Sequence, residues 1–276
     1  MRAFRFGRHS LRTPQPSHDT AFARHSPNSH VHTSPMELAQ RLEAIYTRGE
    51  HPVLPYIGAA FREPAPTDLR VMTIGINAYV SKEHWPPKAH WMQEWFEKRQ
   101  HRFHRRVFSE AAVLAAGITA PSMLFAGRVF DPHRCVLGTN AVKAYLPEAE
   151  GKRAEQLSEA HFASHDPQWH DELQLLAEAD VAPHVIIVFG APFWEHAWRA
   201  FHPEHTSLRA PVNVHSFQAA WGDAPHRANR VTLEVAGKPH DLLLVRLMHP
   251  AGRSKVGSAR WLLDRQAFRE LAKPGA

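Results

Sequence analysis

Val71-Met72-Thr73-Ile74-Gly75-Ile76-Asn77-Ala78-Tyr79 and Leu242-Leu243-Leu244-Val245-Arg246-Leu247-Met248-His249-Pro250-Ala251-Gly252-Arg253-Ser254 are the two stretches on which the reading of this chain turns. Each is a run of apolar and β-branched residues that stops at a polar side chain, Asn77 in the first and His249 in the second. Apolar runs of this length predict strands buried on both faces, as in a mostly parallel sheet. Ligands of such sheets sit at the carboxyl ends of the strands. The pattern therefore delivers a neutral amide and an imidazole to one sheet edge, where the pair can hold a water and a leaving group.

Two further strands follow from the same signal. One starts at Arg134-Cys135-Val136-Leu137-Gly138 and ends at Thr139-Asn140; the other spans 184–190. A hairpin is predicted between 231–236 and 241–248. Helices are read between the strands. Ser34-Pro35-Met36-Glu37 forms a capping box with proline at the first helical position. Leu38, Leu42, Ile45 and Tyr46 then recur on one helical face until Gly49. Helical stretches are also expected at 88–116, 168–180, 193–201 and 256–272. Strands alternating with helical lengths predict an α/β fold: a three-layer α/β/α sandwich around a central, mostly parallel sheet of four or five strands.

The totals narrow the choice of partner. The 276 residues carry a formal charge of +6 and 22 histidines, which points to a polyanion. A single cysteine, Cys135, excludes a disulfide framework and any four-cysteine site. No apolar run reaches the ~18 residues of a membrane span, so no membrane is expected. GxxxxGK[ST], GxGxxG, GxSxG and HExxH are all absent. His101 and His104, or His161, His165 and His170, stand without cysteines among many histidines, so no metal centre is predicted. Residues 1–33 hold Arg2, Arg5, Arg8, Arg12 and Arg24 against one acid, Asp19, with no apolar period. They are expected to form a disordered basic tail, and they lack the apolar core of a secretory signal. Residues 34–276 are expected to be one domain, monomeric and in a bacterial cytoplasm.

Three short motifs, each closing a predicted strand, resemble those of the uracil-DNA glycosylase superfamily. Gly75-Ile76-Asn77-Ala78 resembles its water-positioning motif. His249-Pro250-Ala251-Gly252-Arg253 resembles the histidine-proline loop that enters the minor groove. Leu137-Gly138-Thr139-Asn140-Ala141-Val142-Lys143 resembles the strand whose terminal asparagine reads the flipped pyrimidine. The resemblance spans residues 69 to about 265, in the same order. Asparagine at 77 is similar to the mismatch-specific and single-strand-selective monofunctional branches. Arg253 leans to the latter, which accepts C5-substituted pyrimidines as well as uracil. Two residues depart from these branches: Ala78 replaces a proline, and Tyr79 replaces a glycine. In the uracil-specific branch a tyrosine there walls off C5.

The resemblance implies a fold of that superfamily, with residues 34–276 as the catalytic domain, and a monofunctional DNA glycosylase with no cofactor. Such an enzyme would act on duplex or single-stranded DNA containing a modified or deaminated pyrimidine and would leave an abasic site. The substrate is either a hypermodified cytosine, as in defence against phage DNA, or uracil in repair. His249 would stabilise charge on the departing base, and Asn77, which cannot titrate, would orient the water. Gly75, Ile76, Ala78, Tyr79 and Asn140 would line the base site, with Trp85 or Trp91 stacking on the ring. Asn140 offers one acceptor and two donors, and suits uracil or, turned over, cytosine. Arg253, with Ser254 and Lys255, would fill the gap in the stack or grip flanking phosphates. Arg99, Arg102 and Arg106 share a helical face that could follow the backbone. Two other classes stay open: a non-cleaving module that binds modified DNA, and a hydrolase of free nucleosides.

Overall fold

The computed structural model describes residues 35–75, 78–80, 86–98, 102–147, 162–190, 193–194, 197, 213–221, 224–235, 238–249 and 257–275, all within one compact unit, Thr33–Ala276. The predicted tail at 1–33 lies outside the described residues. In chain order the elements are α1 (Pro35–Tyr46), β1 (Tyr56–Ile57), β2 (Val71–Gly75), β3 (Ala78–Val80), α2 (Trp91–Lys98), α3 (Arg102–Ile118), α4 (Pro132–Cys135) and β4 (Val136–Asn140). After them come β5 (Tyr145–Pro147), α5 (Asp166–Glu178), β6 (Val185–Phe189), β7 (Asn213–Trp221), β8 (Ala224–Val235), β9 (Lys238–Leu247), α6 (Ser258–Leu263) and α7 (Gln266–Leu271).

These elements make a mixed α/β fold around a seven-stranded sheet with the order β1-β4-β2-β6-β9-β8-β7. The four apolar runs, β4, β2, β6 and β9, are its parallel centre. β1 joins one side antiparallel, and β8 and β7 extend the other side antiparallel. A separate pair, β3 with β5, is parallel and continues the chains that leave β2 and β4. The chain leaving β2 runs to β4 on one side, and the chain leaving β6 runs toward β9 on the other, which marks a crevice between the carboxyl ends of β2 and β6.

Alternate side chains of the central strands enter two apolar clusters. Met72, Ile74, Leu137, Ile186, Val188, Leu242 and Leu244 pack with α1 and α5. Val71, Val136, Val185, Ile187, Phe189, Leu243, Val245 and Leu247 pack with α2, α3, α6 and α7. Side chains alternate across a strand, so both faces of the sheet are covered, and that is why these strands read as largely apolar runs.

The structure corrects the sequence expectation in five places. The sheet has seven strands rather than four or five. The expected hairpin is real but longer, with Val235 opposite Lys238 and Arg227 opposite Arg246. The helical stretch at 88–116 is two helices, α2 and α3. The strand expected from Arg134 begins at Val136, because Asp131 accepts the His133 amide at 2.8 Å and Pro132 opens the short α4. The closing helix is also split. Continuing the face of Ala259 and Leu262 would bury Gln266 and Arg269; extended backbone at Arg265 (ψ 121) rephases the chain so that Phe268 and Leu271 are buried instead. Most of the expected helix at 193–201 lies outside the described residues, though Phe193, Trp194 and Ala197 are buried. Among the described residues, no helix is long and apolar enough to cross a membrane.

Candidate functional site

The carboxyl ends of β2 and β4 meet in register, Gly75 opposite Asn140. Asn140 is only 6% exposed, and its side chain lies across Gly75. A Cβ added at Gly75 would stand 2.5 Å from Asn140 Oδ1. Any side chain here would force the Asn140 amide to shift. The Ala141 amide donates to the Gly75 carbonyl at 2.8 Å, carrying the pairing one step past the strand end.

His249 stands two residues beyond β9. The end of β9 is tied to the end of β6 by the Gly190 amide, which donates to the Leu247 carbonyl at 2.9 Å. Gly190 has φ +99, a left-handed conformation that favours glycine. The His249 ring lies 5.2 Å from the Phe103 ring, tilted by 33°. Phe103 also faces the β2 end, with Cζ 3.8 Å from a Cβ placed on Gly75. One aromatic ring thus bridges the imidazole and the Gly75–Asn140 pair. Burial lowers the His249 pKa below its ordinary 6.5, so at neutral pH the ring is uncharged, with one N–H to donate.

Ile76 and Asn77 lie outside the described residues, as do Trp85, Arg99, Arg253, Ser254 and Lys255. The chain neighbours of Asn77 are described on both sides. Gly75 pairs with Asn140, and Ala78 and Tyr79 on β3 pair with Tyr145 and Leu146. Trp91 is described, and its ring packs edge-on against Tyr145 at 6.5 Å. The ring beside His249 is Phe103, which was not among the aromatic residues expected to stack on the base. Its signal was there: Phe103 is the one aliphatic-or-aromatic residue among Arg102, His104, Arg105 and Arg106. Arg102 and Arg105 are exposed at the start of α3, and Arg106 is half-buried.

A second feature the sequence did not reveal lies behind Asn140. Lys143 and Glu172 are both essentially inaccessible, with Nζ 2.6 Å from Glu172 Oε2. Lys143 Nζ also donates to Thr139 Oγ1 at 2.7 Å and to Tyr46 OH at 3.3 Å. The Tyr46 hydroxyl reaches both Thr139 Oγ1, at 2.8 Å, and the Glu172 carboxyl. Burial drives the lysine pKa down and the glutamic acid pKa up. The network clamps the residues on either side of Asn140 to α1 and α5. A lysine in the apolar run Ala141-Val142-Lys143-Ala144-Tyr145 was the sequence signal for it.

Another group of perturbed residues sits at the opposite, amino edge of the sheet. Arg70 donates from Nε to the Ala182 carbonyl at 3.0 Å, and its amide donates to His184 Nδ1 at 3.1 Å. Burial, with the Arg70 and Arg128 charges, pushes the His184 pKa far down. These contacts satisfy the groups internally and leave them on the side of the sheet where α/β folds do not bind ligands.

No protein-family model matches this chain, and no curated protein matches it. The functional reading therefore rests on the geometry: a buried carboxamide, an uncharged imidazole and a flat apolar ring gathered at the carboxyl edge of the parallel strands. That set can grip a planar polar heterocycle by stacking and by hydrogen bonds to its edge.

Proposed function

We propose that the chain is a monofunctional DNA glycosylase, related in fold and site to the uracil-DNA glycosylase superfamily, that excises a modified or deaminated pyrimidine. One observation carries the reading. Gly75, Asn140 and His249 come from three segments far apart in the chain, each resembling a different motif of that superfamily, and Phe103 links them at one sheet edge. The parallel centre β4-β2-β6-β9, covered on both faces, supports the three-layer sandwich expected of such an enzyme.

In this reading the target nucleotide leaves the stack, at a cost of a few kcal/mol, and its base lies on Phe103. Asn140 pairs with the base edge. As the C1′–N1 bond breaks, its electron pair passes to the base and positive charge grows on the sugar. The neutral His249 N–H stabilises the charge on the base oxygen; removing such a donor costs about 10²–10³ in rate. Asn77 orients the water that adds to C1′, and the proton lost by that water balances the charge of the departing base. The residues of this scheme need no cofactor. Arg102 and Arg105, exposed at the start of α3, and the more buried Arg106 supply positive charge for the phosphates.

The test is to incubate the protein with DNA carrying uracil, 5-substituted uracils or hypermodified cytosines, then cleave with alkali. Strand breaks at one base class support the reading, and His249→Ala and Asn77→Ala should abolish them in a folded protein. Binding without breaks, or cleavage of free nucleosides alone, overturns it.

A further inference from the structure

The end of β9, next to His249, is joined to the start of α6 by buried side chains. Met248 donates its amide to Ser258 Oγ at 3.2 Å, joining the residue before His249 to the first residue of α6. Ser258 Oγ lies 2.6 Å from His226 Nε2, and His226 packs under Trp261 with ring centroids 4.7 Å apart. Both Ser258 and His226 are fully buried. The amides on either side of Ser258 are held by one carboxylate. Gly257 N donates to Glu110 Oε1 at 2.6 Å, and Ala259 N donates to Glu110 Oε2 at 2.7 Å. Gly257 has φ +104, so the chain enters α6 through a turn that favours glycine.

Glu110 sits on α3 seven residues after Phe103, two turns on and on the same face. The next position in that series, Gly117, meets α6 so closely that a Cβ would fall 2.3 Å from Leu263 Cδ2. One face of α3 thus touches the His249 ring through Phe103, the start of α6 through Glu110 and its end at Gly117. A carboxylate that accepts two first-turn amides is favourable for α6. Stability of α6 alone does not account for Ser258, whose hydroxyl reaches back to the amide adjoining His249.

We propose that Glu110 and Ser258 are positioning residues for His249. They close the base of the chain between Met248 and Gly257, one through α3 and one through β8, and hold the imidazole against Phe103. The inference rests on the reading of His249 as the donor to the departing base.

The experiment uses the full chain and two variants. Glu110→Gln turns one accepting oxygen into an N–H₂ that opposes a backbone amide. Ser258→Ala removes the link to Met248 and leaves a residue suited to a first helical turn. The readout is the His249 ring ¹³Cε1–¹Hε1 resonance, assigned by its disappearance in His249→Gln. It is measured beside thermal melting, DNA affinity and single-turnover excision. Positioning predicts a displaced His249 resonance in both variants, with excision reduced by about 10–10²-fold and DNA affinity close to wild type. An unmoved resonance in folded variants overturns the proposal. If Glu110→Gln does not fold, Ser258→Ala decides alone. If the wild-type chain excises no base from any DNA, the glycosylase reading falls, and the resonance still decides whether these residues position His249.

Discussion

Replacing Gly75 by alanine isolates the contact at the centre of the site. The added methyl would stand 2.5 Å from Asn140 Oδ1, whereas its other near neighbour, Phe103 Cζ, is at an ordinary 3.8 Å. Unstrained heavy-atom contacts lie at about 3.5 Å or more, so the amide must retreat by roughly 1 Å. Overpacking of this kind costs about 1–3 kcal/mol. For a domain of this size that is a fall of about 2–4 °C in melting temperature per kcal/mol. A 1 Å displacement of a positioning group can cost about 10² in rate, so excision should suffer more than stability. The assay is single-turnover excision on the substrate identified by the alkali screen, with melting followed in parallel. A double-mutant cycle with Asn140→Ala gives the control, since the methyl has no amide to displace there. Excision at the wild-type rate in Gly75→Ala, or a stability loss equally large beside Asn140→Ala, would refute the argument.

The other predictions concern charge. Lys143→Met or Glu172→Leu alone should cost about 3–5 kcal/mol in urea denaturation, because each strands a buried partner; the double variant should recover most of that loss. His249 is depressed below 6.5 by burial, so excision should stay level from pH 8 down to that value and decline only in more acid solution. His184, His240 and His249 all have folded pKa values below their unfolded 6.5. The unfolded chain therefore binds more protons in acid, and stability present above about pH 6.5 should fall as pH drops below it. His184→Gln should flatten that fall in pH-dependent urea titrations. Substituting Arg102 and Arg105 by glutamine should weaken DNA binding for all sequences alike. The salt dependence should then lose about 0.9 in slope for each phosphate contact removed.

The parallel centre of the sheet could be read from sequence because each of its strands is buried on both faces and so is mostly apolar, with only a few buried polar residues such as Thr73 and Arg246. β7 and the first half of β8 escaped for the opposite reason. His215, Ser216 and Gln218 are exposed on β7. On β8, Arg227, Asn229 and Arg230 break the apolar pattern, and Arg230 donates to the Lys273 carbonyl at 2.6 Å and pairs with Asp241. Such partners lie far along the chain and leave no periodic trace. The same holds at the site. Gly75, Asn140 and His249 were visible because each terminates an apolar run. Phe103, Lys143, Glu172 and Glu110 depend on contacts between distant elements, and only the fold brings those contacts together.

Among the described residues, the Met248 amide is held by Ser258 of α6, and the Gly257 and Ala259 amides are held by Glu110 of α3. The end of β9 and the start of α6 are therefore coupled to one face of α3, so a change at position 110 would be felt more than 130 residues further along the chain. Substitutions on α3 and near the end of the chain would then be tolerated in pairs rather than singly, and a designer who repacks α3 must keep a carboxylate at that position.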